Sequence, residues 1–370
     1  MGMLNLCKNF GKLHRAKREF DREKERHVLS YLFWETTLAC NLNCRHCGSR
    51  CSPAIRRQND LPGEDVKRIF REIAEDFGTS EIVIAVTGGE PLVRDDVFEV
   101  MAAANDLGFS WGMVTNGVLI TEDVLRKMEH SGMSAVSVSI DGDEEAHAKL
   151  RGSREAYRRS MEGLALLTAQ ASFLDIVEVT TVVNSHNVHL LNQMYDSFFA
   201  MGVDEWRLLM IDPIGRMKDD ANCGLMLTGE QLAETLDFVA MKRKSGPMPI
   251  TFEESGFLGL RYEGQVRDYY FHCPAGINIG SVLHDGQIGA CPSLERVMVE
   301  GDAKSERFSE VWNSRFQRYR DRVSTRRKGL CASCKWWNYC EGGSLHLWDW
   351  DREKTRLCHY RMLEEAQCLR

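Results

Sequence analysis

The chain has 370 residues, of which 43% are hydrophobic, and its formal net charge at pH 7 is −7. This acidic balance argues against a nucleic-acid binder that relies on a basic surface, and no apolar run reaches the roughly 18 residues of a membrane span. The length allows one large domain and a smaller one.

The N-terminal segment, residues 1–30, is predicted to be a charged arm or helix. Its charges alternate in sign from Lys17 to Arg26, as on a solvated helix. The segment lacks the apolar stretch of a signal peptide. The 13 cysteines of the chain therefore indicate a reducing, cytoplasmic location, in which they serve metal binding or catalysis and not a disulfide framework.

From residue 31 onward, strand patterns alternate with helix patterns. Short apolar runs that end in glycine or polar residues predict strands at 31–38, 81–86, 109–115, 134–140, 175–183 and 205–211. Longer periodic segments predict helices near 63–77, 95–107, 121–131, 154–170, 187–201 and 228–244. Six such units fit a partial barrel better than a closed eight-stranded one. The expected fold class is α/β, a partial (β/α)6 TIM-type barrel over 31–245 with a smaller cysteine-rich domain over 250–370.

Polar motifs follow the first four predicted strands. A cysteine loop comes after the first strand, "TGGEP" (87–91) after the second, "TNG" (115–117) after the third, and "SIDG" (139–142) closes the fourth. Ligands of parallel α/β architectures bind at the carboxyl ends of the strands. We therefore expect these motifs to meet at one site.

The cysteine loop, "CNLNCRHCGSRC", spaces Cys40, Cys44 and Cys47 as C-x3-C-x2-C and adds Cys51. Three thiolates on a four-iron cluster leave one iron open to a substrate or cofactor, as on a catalytic zinc with an open position. A structural zinc with Cys51 or His46 as fourth ligand is the main alternative. A buried helix with three thiols on one face is disfavoured by the polar residues between them, and a disulfide by the compartment.

The position of this motif, directly after the first strand, resembles the radical SAM superfamily. That family carries C-x3-C-x2-C there, with an aromatic residue before the third cysteine, the place that His46 holds. The resemblance implies a [4Fe-4S] cluster whose open iron chelates S-adenosylmethionine, which is cleaved to a 5'-deoxyadenosyl radical that abstracts a substrate hydrogen. It assigns Cys40, Cys44 and Cys47 as ligands and gives Cys51 no role.

The resemblance also implies a cofactor pocket at the strand ends. In the family the "GGEP" motif contacts the methionyl amino group. Gly88 and Gly89 would let the backbone approach the cofactor closely, and Glu90 would accept a hydrogen bond from its amine. A plain strand-to-helix turn is the alternative for this motif. Ser139 matches a position that contacts the cofactor, and Arg151 one that pairs with its carboxylate. Further candidates at strand ends are Asn116, Asp141 and Ile211.

A second group of cysteines lies near the C-terminus. "CASCKWWNYC" and a later cysteine give C-x2-C-x5-C with a distant fourth thiol, a spacing that alone favours a zinc ribbon. Upstream, two more cysteines flank a "DG" hairpin turn at 285–286. Together they resemble the SPASM/twitch extension of radical SAM peptide and protein maturases, which usually carries two auxiliary [4Fe-4S] clusters. The candidate ligands are Cys331, Cys334, Cys340, Cys358, Cys273 and Cys291.

Two departures from that extension reduce the expected number of auxiliary clusters to one. Ser344 stands where the family's run continues with a cysteine, and no cysteine follows shortly after Cys291. Because two thiolates rarely hold a cluster, Cys273 and Cys291 are expected to be buried relics or a partial site completed by another group. Pro292 replaces the carboxylate that serves as base in sulfatase-maturing members, which argues against that activity.

Three functions agree with these patterns. The main hypothesis is an enzyme that abstracts a hydrogen from a peptide or protein side chain, with a flavodoxin or ferredoxin as reductant. A modifier of a small molecule or tetrapyrrole is the alternative with the same chemistry, because related heme-pathway enzymes carry similar C-terminal cysteines. A non-catalytic metal- or cluster-binding module on the same scaffold is the third. The sequence identifies no general base.

Overall fold

The computed structural model describes residues 3–219, 224–253 and 256–369, with side chains from Asn9 onward. Its strands are β1 (Tyr31–Glu35), β2 (Val83–Thr87), β3 (Ser110–Thr115), β4 (Ala135–Ser139), β5 (Ile176–Val183), β6 (Glu205–Met210), β7 (Ile250–Phe252), β8 (Ile279–Val282), β9 (Gln287–Gly289), β10 (Gly301–Asp302), β11 (Trp348–Asp349) and β12 (Lys354–Thr355). The first ten form one sheet in the order β10-β9-β8-β1-β2-β3-β4-β5-β6-β7, and the last two form a separate pair.

Helices connect and cover these strands. They are α1 (Met3–Arg26), α2 (Gly63–Phe77), α3 (Val97–Asp106), α4 (Glu122–His130), α5 (Glu144–Arg151), α6 (Arg154–Gln170), α7 (Leu191–Ala200), α8 (Gly229–Ser245), α9 (Phe308–Arg315), α10 (Gln317–Arg320), α11 (Arg322–Arg326), α12 (Trp337–Cys340) and α13 (His359–Glu365). Within the described residues, no helix is both long and apolar enough to cross a bilayer.

The predicted α/β fold with a partial parallel barrel is confirmed. Strands β1 to β7 pair in parallel, each with the next. Within them, alternate side chains such as Leu32 and Trp34 are fully buried under the helices, as expected for crossovers that cover one face of the sheet. All six predicted barrel strands are present, and the predicted helices 63–77 and 154–170 match α2 and α6 end to end.

Two local differences from the predicted elements have physical reasons. The first strand ends at Glu35 and not at residue 38, because the carbonyls of Thr37 and Ala39 accept hydrogen bonds from the amides of Gly89 (2.7 Å) and Glu90 (3.0 Å) instead of continuing the ladder. Helix α5 was not predicted, although it begins at an aspartate cap and ends at Gly152 in a left-handed conformation (φ 85°).

The C-terminal region continues the barrel sheet instead of forming a separate layer. Strand β8 pairs in parallel with β1, and β9 and β10 add antiparallel partners at that edge. The "DG" turn joins β8 and β9 as the predicted hairpin. Most of the buried hydrophobic side chains form one contiguous cluster that extends from Leu29, just before β1, to Leu363 in α13. The division into a barrel domain over 31–245 and a smaller domain over 250–370 stays a prediction.

The N-terminal segment is a helix, as expected, but it is not only solvated. Leu13 and Phe20 of α1 are 3% and 1% exposed. The ammonium groups of Lys17 and Lys24 pair with the Glu341 carboxylate at 3.3 and 2.7 Å. One face of α1 is therefore packed against the C-terminal cysteine region.

Candidate cofactor site

The carboxyl ends of β1 to β4 enclose a cavity of about 220 Å³. The residues that the sequence analysis placed there and that line it are Cys40, Cys44, Cys47, His46, Gly88, Gly89, Asn116, Ser139 and Arg151. Cys51 lines it as well. Glu90 and Asp141 do not line it, but Glu90 bonds to Thr115 and Asn116, and Asp141 bonds to Arg151 in its wall. Ile211 does not line it either.

The cysteine loop is held in shape by hydrogen bonds to its backbone. The amide of Arg45 donates to Leu150 at 2.9 Å. The guanidinium of Arg216, in the loop after β6, donates to the carbonyls of Cys44 at 2.8 Å and Cys51 at 2.6 Å. Arg216 was missed by the sequence analysis, because an arginine in a loop carries no local signal of what it will contact.

The thiols of this loop have different electrostatic surroundings. Burial raises the pKa of Cys40 to about 12 and also raises the pKa of Cys44. Contact with the Cys51 thiol lowers the pKa of Cys47, and the Cys51 amide donates to the Cys47 sulfur at 3.3 Å. A bound cation would favour the thiolate form of all of them.

Gly88 and Gly89 are required by the backbone that precedes the cysteine loop. A Cβ at Gly89 would collide with the carbonyl oxygen of Ala39, and one at Gly88 would lie 2.6 Å from that of Thr37. Gly88 also has a φ of 138°, which other residues rarely adopt. The two glycines therefore fix the entry to the cysteine loop while they line the cavity.

Glu90 is buried, and its carboxylate bonds within the protein. It accepts hydrogen bonds from the Thr115 hydroxyl at 2.7 Å and from the amides of Asn116 at 2.8 Å and Leu92 at 3.2 Å. Burial raises the pKa of Glu90. Glu90 thus ties the ends of β2 and β3 together, and its contact with a cofactor amine stays a prediction.

Arg151 and Asp141 form a buried ion pair at the cavity wall. The Nε of Arg151 lies 2.6 Å from one oxygen of Asp141, and the other oxygen accepts from the Val182 amide at 2.8 Å. Burial would raise the pKa of Asp141, but the Arg151 guanidinium holds it below its usual value. No described residue accepts a hydrogen bond from the Nη groups of Arg151, so the end of the guanidinium is available to a ligand in the cavity.

The remaining predicted residues divide into two groups. Asn116 donates to the side chain of Asn41 at 2.7 Å and approaches the Cys40 sulfur at 4.0 Å. Burial lowers the pKa of His46 to about 4, and its buried Nδ1 has no hydrogen-bond partner among the described residues. Ile211 instead packs in a small apolar cluster with Leu150 and is not among the residues that line the cavity.

The C-terminal cysteines converge on a second cavity. Its lining includes Cys331, Cys334, Cys340 and Cys358. The rest of the wall is apolar or glycine, apart from Thr355 and His359, and no charged side chain among the described residues lines it. Burial raises the pKa of Cys331 to about 11 and that of Cys340 to about 12.

Cys273 and Cys291 flank the β8–β9 hairpin and do not line either cavity. Cys273 is buried, and its carbonyl accepts a hydrogen bond from Arg322. Cys291 is half-buried after β9. Their role as ligands stays a prediction.

Both cavities fit the groups that the resemblance implies. The first offers the three thiols of the C-x3-C-x2-C motif, a fourth thiol at Cys51, the hydroxyl of Ser139 and the end of the Arg151 guanidinium. These groups form a donor set for an iron–sulfur cluster beside a ligand that carries a carboxylate. The second offers four thiols in an apolar wall, as for a cluster ligated by protein alone. Among the described residues, no group of three or more His, Cys, Asp or Glu side chains is placed to hold a single metal ion.

Known proteins resemble the chain in both regions. Residues 34–189 match the radical SAM superfamily, and residues 273–335 match the SPASM iron–sulfur cluster-binding domain. The AdoMet-dependent heme synthase of Nitratidesulfovibrio vulgaris is 26% identical over 90% of this chain and 93% of its own length. The mycofactocin maturase MftC of Mycolicibacterium smegmatis is 30% identical over 85% of this chain and 77% of its own length.

A solved structure has the same fold. The anSMEcpe structure with bound AdoMet and a Cp18Cys peptide superposes with a TM-score of 0.67, at 19% identity, over 91% of this chain and 95% of that one. At this identity the likeness shows the fold alone. The sequence matches carry the assignment further: the chain belongs to the radical SAM superfamily and is an enzyme whose cofactors are S-adenosylmethionine and iron–sulfur clusters.

Proposed function

We propose that this enzyme abstracts a hydrogen atom from a side chain of a peptide or protein. The observation that carries the proposal is an open sheet whose polar inner face continues from the first cavity. The end strands β10 and β7 do not pair with each other. A side chain can therefore enter the barrel while the polymer to which it belongs stays outside.

The inner face is traced by the strand register. Ser139, which lines the first cavity, is paired with Thr180, and Thr180 with Arg207. Because paired residues of neighbouring strands point to the same face, Thr180 and Arg207 share the face of Ser139. Arg207 donates to Glu178 at 2.6 Å, and its side chain is 32% exposed. This surface supports a polar substrate next to the cofactor.

In this proposal Cys40, Cys44 and Cys47 hold the first cluster. When bound, that cluster and S-adenosylmethionine supply a 5'-deoxyadenosyl radical able to abstract hydrogen. Arg151 binds the carboxylate of the methionyl group through its Nη atoms, and Asp141 holds the guanidinium in place from behind. Gly88 and Gly89 let the end of β2 pack closely against the backbone at Thr37 and Ala39, which holds the cysteine loop beside the cofactor.

The second cavity holds one auxiliary cluster on Cys331, Cys334, Cys340 and Cys358. Four protein thiolates coordinate all four irons and leave none open to a substrate. The cluster is therefore suited to electron transfer and not to substrate binding. Its apolar lining excludes water and keeps the cluster in a low dielectric. A flavodoxin- or ferredoxin-type protein supplies the electrons.

A tetrapyrrole is the second candidate substrate. It is favoured by the AdoMet-dependent heme synthase relative, whose length the chain covers to 93%. The mycofactocin maturase is slightly more similar in sequence but is covered to 77%. Both candidates use the same first cavity and differ in what occupies the inner face.

The test is turnover by the anaerobically reconstituted full-length protein with S-adenosylmethionine and a reductant. One arm contains a peptide encoded next to the gene, and the other an iron tetrapyrrole with propionate side chains. We expect 5'-deoxyadenosine together with a mass change of the peptide, and neither with the Cys44→Ala variant. A mass change of the tetrapyrrole alone would overturn the peptide proposal in favour of the second candidate.

A further inference from the structure

His359 is a buried polar side chain in the wall of the second cavity. It directly follows the candidate ligand Cys358, begins α13 and is 1% exposed. Its ring lines the same cavity as the four cysteine side chains. Neither Nδ1 nor Nε2 has a hydrogen-bond partner among the described residues.

A ring in this position needs a partner that the described residues do not provide. A buried imidazole without hydrogen bonds loses about 1–3 kcal/mol for each unsatisfied polar group, and such groups in native proteins nearly always have a partner. The ionisable groups that act electrostatically on His359 are Asp212, Arg267 and His346, and each has a hydrogen-bond partner. His346 bonds to Asp212 at 2.7 Å, and Arg267 bonds to Glu263.

The surroundings of the ring leave the cavity as the place for that partner. Gly256 packs against the ring, where a Cβ would lie only 2.8 Å from Nδ1. The other parts of the cavity wall are the cysteine sulfurs, Thr355, whose hydroxyl donates to the Leu357 carbonyl at 2.7 Å, and apolar groups such as Phe257. None of these apolar groups can accept a hydrogen bond, whereas the sulfurs of a bound cluster can.

We propose that His359 donates a ring N–H hydrogen bond to a sulfur of the auxiliary cluster and thereby raises the reduction potential of that cluster. The inference rests on the proposed ligand set Cys331, Cys334, Cys340 and Cys358. A hydrogen bond to sulfur stabilises the reduced cluster, which carries one more negative charge than the oxidised cluster. His359 thus acts on the reduction potential of the cluster through this hydrogen bond and is not an iron ligand.

The experiment is a redox titration of the full-length reconstituted protein, followed by electron paramagnetic resonance. Replacing Cys40, Cys44 and Cys47 with alanine isolates the auxiliary cluster. In that background, we expect His359→Phe to lower the ratio of reduced to oxidised cluster about tenfold at a fixed potential, a shift of about 59 mV for one electron. His359→Asn keeps an N–H donor, so the reduction potential of its auxiliary cluster should stay close to that of the protein with His359.

Two controls separate the hydrogen bond from general damage. Iron and sulfide contents should be unchanged in both variants, and the first cluster should keep its potential when His359 is changed with its cysteines intact. An unchanged auxiliary potential in a loaded His359→Phe protein would overturn the inference.

A second measurement tests the inference if the His359 variants fail to bind the auxiliary cluster. In the protein with native His359 and ¹⁵N-labelled histidine, the reduced auxiliary cluster should show a weak nitrogen coupling. No coupling, or the strong coupling of a nitrogen bound to iron, would contradict a hydrogen bond. Absence of any second cluster in the wild-type protein would instead contradict the ligand set itself, and the inference with it.

Discussion

The two cysteine cavities differ in how the chain builds them. The first lies at the ends of parallel strands, and its loop is fixed by backbone hydrogen bonds and by Arg216. The second lies among short helices and loops between α11 and α13. The first combines the three thiols of a C-x3-C-x2-C motif, and a fourth thiol at Cys51, with the end of the Arg151 guanidinium. The second has four thiols and no charged side chain among its described lining residues.

This difference indicates what each cavity can do. A site with three protein thiolates and a cationic side chain leaves room for an exchangeable, charged ligand. A site with four thiolates in an apolar wall leaves none and suits electron transfer. In the proposed function, cysteine thiolates thus serve catalysis in the first cavity and electron transfer in the second, and the residues around the thiols determine which.

The largest expected effect is the loss of the first cluster. Cys44→Ala should reduce 5'-deoxyadenosine formation to background, because two thiolates rarely retain a cluster. Cys51→Ala is the matched control and should retain both cluster and cleavage, since Cys51 contacts Cys47 without belonging to the trio. Product is measured by chromatography after anaerobic reduction. Equal losses in the two variants would show that Cys51 is also a ligand.

Removing a thiol of the second cavity should have a different outcome. In Cys340→Ala the iron content should fall from about eight to about four per chain, as one four-iron cluster is lost. Reductive cleavage of S-adenosylmethionine should continue, because the first cavity is intact, while substrate modification should fall. If cleavage also stopped with the first cluster fully loaded, the two sites would not be independent.

Gly89→Ala tests whether the glycines position the cysteine loop. The new Cβ would collide with the Ala39 carbonyl, and we expect a loss of about 3 kcal/mol in unfolding free energy together with poor loading of the first cluster. Gly11→Ala is the control. Its Cβ would meet nothing within 4 Å in α1, so a gain of about 1 kcal/mol is expected. Denaturant unfolding of the two variants measures both changes.

The smallest expected effect tests whether Arg151 binds S-adenosylmethionine. Arg151→Lys keeps a positive charge beside Asp141 but loses the fork that binds a carboxylate. We expect an affinity for S-adenosylmethionine lower by about 2 kcal/mol, or roughly 30-fold, with the cluster content unchanged. Arg154→Lys, at an exposed position, should bind as the wild type does. Isothermal titration separates the two, and equal affinities would remove Arg151 from the site.

Much of the barrel could be predicted because its signals are local. Apolar runs and helical periodicity identified β1 to β6 and most of the helices, since burial on one face determines both patterns. Helix α5 was missed although Asp143 caps it and Gly152 ends it. Its eight residues are too short for a clear period.

The parts that could not be predicted depend on contacts between distant segments. The Glu90 carboxylate faces Thr115 and Asn116, which follow 25 and 26 residues later. Arg216 reaches a loop 172 residues earlier in the chain. Neither contact can be predicted from the local sequence pattern. The junction of β8 with β1 was missed for the same reason, because a short strand after Cys273 has no sequence signal for its partner.

The most direct test of the account concerns the open iron of the first cluster. S-adenosylmethionine labelled with ¹⁵N in its amino group is added to the reduced protein, and electron–nuclear double resonance records the coupling. The account predicts a nitrogen coupling in the wild type and in Cys51→Ser. A fully loaded first cluster that binds S-adenosylmethionine without any such coupling would contradict it.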